Sequence, residues 1–182
     1  FVIVAFSTSS PLTSVALIDP NGQVLATRSR HAPQAASSAC IALLDECLAV
    51  SAKTLEEATL FVADIGPGSF TGTRVGVVMA KTLAHDRGCL CAGATSFDLI
   101  DPFDDAFVPS KKGEWLLREP GLEPVRVTIA PPSFVKGYLR EGVPPDYPQA
   151  AGFATILDRL VPTQPEALMP YYFHEPSISK PN

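Results

Sequence analysis

Apolar residues follow two rhythms along this chain, and the switches between them mark out its elements. Phe1 to Ala5 is a continuous apolar run that ends in Ser7-Thr8-Ser9-Ser10-Pro11, the pattern of a buried strand running into a polar turn. Ser14 to Asp19 and Gln23 to Arg28 read as two further strands, and the Asp19-Pro20-Asn21-Gly22 connection joins them as a hairpin. The chain thus opens as a three-stranded antiparallel meander. From Ala35 to Val50 the spacing changes to three and four, with Ala36, Cys40, Leu43, Leu44, Cys47 and Leu48 on one side and Ser37, Asp45 and Glu46 on the other, which predicts an amphipathic helix. Thr54 with Glu57 matches a capping box and marks a short helical turn.

Leu60 to Ile65 predicts a strand that runs through a glycine-rich turn into a long helix ending at Gly88. Gly66, Pro67 and Gly68 form the turn, Ser69 or Thr71 caps the helix, and Gly88 sits where a left-handed residue closes it. Cys89 to Thr95 reads as another strand, and Ser96 caps a brief helix through Ile100. The order strand, strand, strand, helix, strand, helix, strand, helix predicts an α/β fold with a mixed sheet and helices on its faces.

Beyond Asp101 the pattern thins. Fourteen of the 18 prolines fall in residues 101–182, so the chain is expected to divide into residues 1–100 and a smaller proline-rich lobe over 101–182. There Phe107 to Leu117 predicts a hairpin about Lys111-Lys112-Gly113, Val125 to Ala130 a strand, and Ala150 to Leu160 a helix with Phe153, Ile156, Leu157 and Leu160 inward. Met169 to Phe173 is expected to add an edge strand before the chain frays from Pro176.

The long helix carries a second pattern. Gly68, Gly72, Gly76, Ala80 and Ala84 recur every four residues and give a ridge almost without side chains, against which something packs closely. Val75, Val77, Val78, Met79 and Leu83 make much of the remaining circumference apolar, so the helix is expected to be covered on more than one side. One cover is the sheet; the other is a second helix or a partner protein.

Composition narrows the function. At 182 residues and 46% hydrophobic content the chain can bury a substantial core. A net charge of −5 with no block of like charges offers no basic stripe to a phosphate backbone, so any role on nucleic acid is indirect. The four cysteines have neither a zinc spacing nor a disulfide framework and read as free thiols in a reducing compartment. No apolar run reaches the roughly 20 residues of a membrane span, no charged-then-apolar leader is evident, and a cytoplasmic protein is expected.

Candidate chemistry centres on the glycine turn. A strand-to-helix turn of this kind can face a phosphate, with Gly66, Gly68, Ser69 and Thr71 as the contacting positions. However, the turn lacks the Gly-Lys-Ser/Thr ending of a P-loop, and Thr71 stands where the third glycine of a dinucleotide motif belongs. The same glycines equally serve tight turning and close packing, which the four-residue ridge favours. Ser69 is not set in a Gly-x-Ser-x-Gly elbow, and His31, His85 and His174 lack metal-ligand spacing and read as surface or capping residues. Arg74 stands near the start of the helix, where the dipole disfavours a cation, and calls for a carboxylate partner or an interface. Lys111, Lys112 and Glu114 read as a solvated turn, and Trp115, Tyr171, Tyr172 and Phe173 as packing residues.

The run from Gly66 to Val77, Gly-Pro-Gly-Ser-Phe-Thr-Gly-Thr-Arg-Val-Gly-Val, with Ala80 to Ala84, closely resembles the signature of the TsaB (YeaZ) family, the non-catalytic member of the bacterial machinery that makes threonylcarbamoyladenosine on tRNA. Ser14 to Leu17, His31, Lys112-Gly113-Glu114 and the Pro170-Tyr171-Tyr172 end support the resemblance, which covers chiefly residues 1–100. It implies an actin/Hsp70-like ATPase fold with a reduced second lobe. It also implies pairing with a TsaD-like catalytic subunit and a TsaE-like ATPase, with ATP and Mg²⁺ bound by those subunits, no cofactor on this chain, and tRNA reached only through the complex. Gly68, Phe70, Gly72, Arg74, Gly76, Met79 and Ala80 are the expected partner-binding positions, and a homodimer through the same face is an alternative. On this reading a bulky residue at Gly76 blocks the complex and leaves the monomer folded. Phe6 departs from the family, which commonly has aspartate there; without that carboxylate a Mg²⁺ or water ligand is lost, which argues against hydrolysis. An independent nucleotide-binding ATPase or kinase of the same superfold is the competing reading.

Overall fold

In the computed structural model, which describes residues 1–173, the opening run folds as anticipated. Strands β1 (Val2–Ser7), β2 (Leu12–Ile18) and β3 (Val24–His31) form the antiparallel meander. Helix α1 (Ala36–Ser51) follows, then β4 (Ala58–Asp64), helix α2 (Phe70–Arg87), β5 (Leu90–Ala94) and short helix α3 (Ser96–Ile100). β4 inserts parallel to β1, and β5 parallel to β4, so the sheet order is β3-β2-β1-β4-β5. This mixed sheet, a meander continued by alternating helices and strands, is the actin/Hsp70-like arrangement expected.

The central strand explains its unbroken apolar sequence by being covered on both faces. Val2, Val4 and Phe6 point to one side and pack with Leu43 and Cys47 of α1 and Val77, Ala80 and Ala84 of α2. Ile3 and Ala5 point to the other side and meet Phe153 and Ile156. Residues 150–160 thus supply the second cover of the first sheet, although they lie far along the chain.

The remaining strands form a smaller sheet. β6 (Ala106–Pro109) and β7 (Trp115–Arg118) make the expected hairpin, β8 (Val125–Val127) joins β7, and β9 (Lys136–Gly137) lies parallel to β6, giving the order β8-β7-β6-β9. Phe97 of α3 packs with Ala106, Val108, Leu116 and Tyr138, which ties this sheet to the first. β8 is shorter than the expected Val125–Ala130 strand.

Three local expectations are corrected. Ala150 to Leu160 is not an α-helix but two tight 3₁₀ turns, Ala150–Thr155 and Leu157–Arg159. The Ala150 N–H is taken by Ser14 Oγ at 2.8 Å, and Phe153 and Ile156, three apart, suit the 3₁₀ period and are both drawn onto the sheet. Met169 to Phe173 adds no strand: Pro170 has no N–H to give to a ladder, and Tyr171 N–H instead donates to Ile65 O at 2.7 Å. Thr95, not Ser96, caps α3 by accepting from Asp98 N–H. His174 and the fraying expected from Pro176 lie outside the described residues.

Candidate functional site

The glycine segment is organised around a residue that the apolar pattern conceals, Asp64, the last residue of β4. Its side chain is fully buried. Phe6 pairs with Ala63, so the polar turn that follows β1 arrives beside Asp64. Ser7 Oγ donates to Asp64 Oδ2 at 2.9 Å and Ser9 Oγ at 2.5 Å; Ser96 Oγ donates to Oδ1 at 2.8 Å and Gly66 N–H at 2.9 Å. Burial pushes the carboxyl above its ordinary pKa, and the donors from Ser9, Gly66, Ser96 and Ser7 pull partly against that shift. One carboxylate therefore fastens three connections: the β1–β2 turn, the β4–α2 turn and the β5–α3 junction.

Thr8 makes the next set of contacts. Its hydroxyl donates to Gly72 O at 2.5 Å and accepts from Gly76 N–H at 2.9 Å, while Ser69 N–H donates to Ser9 O at 2.7 Å. These bonds require the β1–β2 turn to lie directly on α2, and the glycines permit it. A methyl group at Gly72 would fall 2.3 Å from Thr8 O, one at Gly68 2.3 Å from Ser9 O, and one at Gly76 2.7 Å from Thr8 Oγ1. Ser69 caps α2 by accepting from Gly72 N–H at 3.1 Å, and Gly88 closes the helix at φ +65°.

Within α2 the small-residue ridge therefore faces inward, while Gly68, ahead of the helix, is exposed although it lies close against Ser9. Gly72, Gly76 and Ala80 are buried against the chain's own turn and sheet, and the expectation that they meet a partner is corrected accordingly. The outward positions of α2 are others. Phe70 and Val78 are each 57% exposed, Arg74 is exposed, and Met79 and Val75 are half-buried. With Ser37 of α1 and Thr71 they line a groove of about 330 Å³. The Arg74 guanidinium has no carboxylate partner among the described residues and lies over the Phe70 ring, 4.4 Å from its centre.

On the other side of Phe70 lies a second cleft of about 240 Å³, between the glycine turn and the smaller sheet, lined by Pro67, Lys111, Leu116, Arg126, Tyr171 and Phe173 among others. Tyr172 packs on Phe70 with ring centres 5.6 Å apart, and Arg126 pairs with Glu114 at 3.3 Å. Of the residues expected as packing and as a solvated turn, Tyr171, Tyr172, Phe173 and Lys111 thus meet at the start of α2.

The turn's hydrogen-bonding capacity is largely committed inside the protein. Gly66 N–H goes to Asp64, Ser69 N–H to Ser9, and the Ser69 hydroxyl to the helix cap. Phe6, where the family commonly has a carboxylate, is wholly buried in the helix-facing core. Ser9 and Asp64 resemble part of a nucleophilic site, but both are enclosed and no described histidine touches them. His31 is exposed, and His85 faces Glu166 at 3.9 Å in solvent. No group of three metal-ligating side chains occurs among the described residues. Burial raises the thiols of Cys40, to about 12, and Cys47, to about 11, so both stay protonated and unreactive near neutrality, and all four cysteines are free.

The fold recurs in known structures. A structure described as YeaZ from Pseudomonas aeruginosa matches 94% of this chain and 99% of its own length with a TM-score of 0.75 at 14% identity. The chain has the YeaZ fold. A second structure, described as an uncharacterized protein with similarity to peptidase YEAZ from Pseudomonas aeruginosa, matches 95% of this chain and 99% of its own at TM-score 0.75 and 16% identity. The model of the family described as TsaD: tRNA N6-adenosine threonylcarbamoyltransferase matches residues 29–98, from the end of β3 into α3. No curated protein sequence matches significantly. The whole-chain likeness shows the fold, and the family match, which spans less than half of the chain, takes in the glycine segment. Among the described residues no helix is long and apolar enough to cross a membrane.

Proposed function

We propose that this chain is a TsaB-type, non-catalytic subunit that pairs in the cytoplasm with a TsaD-like catalytic subunit and enables threonylcarbamoyl transfer to adenosine 37 of tRNA. The observation that carries the reading is the division of α2. Its inward face is consumed by the Thr8 contacts and by packing on the sheet, while its outward face presents Phe70, Arg74 and Val78 to solvent beside a groove against α1. An exposed apolar stripe on a rigidly held helix suits docking by a related helix pair. A TsaE-like ATPase joins the assembly, tRNA is met only through it, and ATP and Mg²⁺ belong to the other subunits. A homodimer through the same face is the alternative arrangement in the partner's absence.

Co-expression with the TsaD-family protein of the same organism tests this: the two chains co-purify, and Phe70→Asp abolishes co-purification and tRNA modification while the isolated variant keeps its circular dichroism spectrum. Recovery of Phe70→Asp in a fully modifying complex refutes it. The rival reading, an independent ATPase or kinase, predicts Mg²⁺-dependent ATP binding by the isolated chain. Because the Gly66, Ser69 and Gly72 N–H groups are committed to Asp64, Ser9 and the helix cap, calorimetric titration with ATP is expected to show no heat of binding.

A further inference from the structure

Phe70 is the corner shared by two cavities, the α1–α2 groove and the cleft against the smaller sheet. Its ring is fixed between Tyr172 and the Arg74 guanidinium, so an exposed aromatic is held in one place. Among the described residues, the charged side chains that line the two cavities are Arg74, Lys111 and Arg126, and no described carboxylate lines either. In a chain of net charge −5 this is a local reversal of sign. Arg126 already faces Glu114, whereas no carboxylate among the described residues pairs with Arg74 or Lys111. Arg74 also stands near the N-terminal end of α2, where the helix dipole favours an incoming anion and makes a cation without a partner unfavourable.

We propose that the surface centred on Phe70 receives an acidic, apolar-tipped segment of the partner protein, with an Asp or Glu seated on Arg74, a second carboxylate on Lys111, and an apolar side chain against Phe70. This rests on the reading of α2 as a docking face and adds the chemistry of what docks. Charge complementarity selects the occupant. A nucleic acid needs a run of phosphate contacts, and two unpaired cations on an acidic chain do not supply one. An acidic protein surface needs only a few well-placed cations, which steer and orient it.

The test is the affinity for the co-purifying TsaD-family subunit, measured by biolayer interferometry at low and high salt. Arg74→Glu is expected to weaken binding about tenfold and Lys111→Glu about threefold, Arg74→Lys to stay within about threefold, and the wild-type affinity to fall as NaCl is raised. Both residues are exposed, and unchanged melting temperatures show the variants to be folded. If the complex forms with the same affinity in Arg74→Glu and Lys111→Glu and is indifferent to salt, the inference fails and the docking reading stands. If the wild-type chain forms no complex, both fail. Binding of tRNA by the isolated chain that is lost in Arg74→Glu also overturns the inference, because the occupant is then a phosphate backbone.

Discussion

The two faces of α2 have similar lengths and opposite logic. The inward face is built from absences: at Gly68, Gly72 and Gly76 any side chain would strike the β1–β2 turn. The outward face is built from exposed side chains, Phe70, Arg74 and Val78, of which Phe70 touches the chain's own surface, Tyr172 and Arg74, on either side of its ring. One helix thus carries a surface that tolerates nothing and a surface that the fold does not need. A residue can be invariant in its demands because the fold requires it, or exposed and apolar because something else does.

The largest break in that comparison is Gly72→Leu. With Thr8 O 2.3 Å from the first added carbon, the backbone must move, and a loss of about 4 kcal/mol or more is expected, visible as an unfolded or urea-sensitive chain. Gly76→Leu follows the same course; a folded, fully stable Gly76→Leu monomer in urea melts shows the inward assignment to be wrong.

Asp64→Ala comes next. It removes the buried acceptor shared by three hydroxyls and one N–H, of which the Gly66 N–H loses its partner outright, and about 3 kcal/mol of destabilisation is expected by chemical denaturation. The carboxyl also gives the pH dependence a sign. Because its pKa is raised on folding, its contribution is fully present below the unfolded-state pKa and declines as pH rises through the folded-state value. Asp64→Asn should flatten that part of the stability profile; an unchanged slope in the variant counts against the assignment.

Thr8→Val, which removes one donor and one acceptor at Gly72 and Gly76, is expected to cost about 2 kcal/mol, and Ser69→Ala, which removes the cap, about 1 kcal/mol in the same assay. Smallest is the effect of Val78→Asp on the monomer, within about 0.5 kcal/mol, because the side chain is largely in water.

Much of this was legible in the residues. The apolar run of β1, the meander, α1, and the Ser69 and Gly88 caps all follow from local period and turn chemistry. The four-residue ridge correctly announced a close approach near α2. It could not say what approaches, since the answer, Thr8 and Ser9, lies some sixty residues earlier in sequence. Asp64 was hidden for a related reason: it reads as the polar end of a strand, and only the pairing of Phe6 with Ala63 brings Ser7 and Ser9 to it. The available signal was a lone acid between an apolar strand and a glycine turn, together with a Ser-Thr-Ser-Ser turn after β1. Residues 150–160 failed for the opposite reason, as a plausible helical pattern was overridden by packing on a sheet made mostly from the first hundred residues. Lys111 and Tyr172, unremarkable as turn and tail, gain meaning only from the cleft that folding creates around Phe70.

Sedimentation velocity of the purified chain mixed with its TsaD-family subunit, for wild type and Val78→Asp, tests the division of α2 most directly. The account predicts a heterodimer for wild type and two separate species for Val78→Asp, with equal monomer melting temperatures. A Val78→Asp chain that assembles as well as wild type would contradict it.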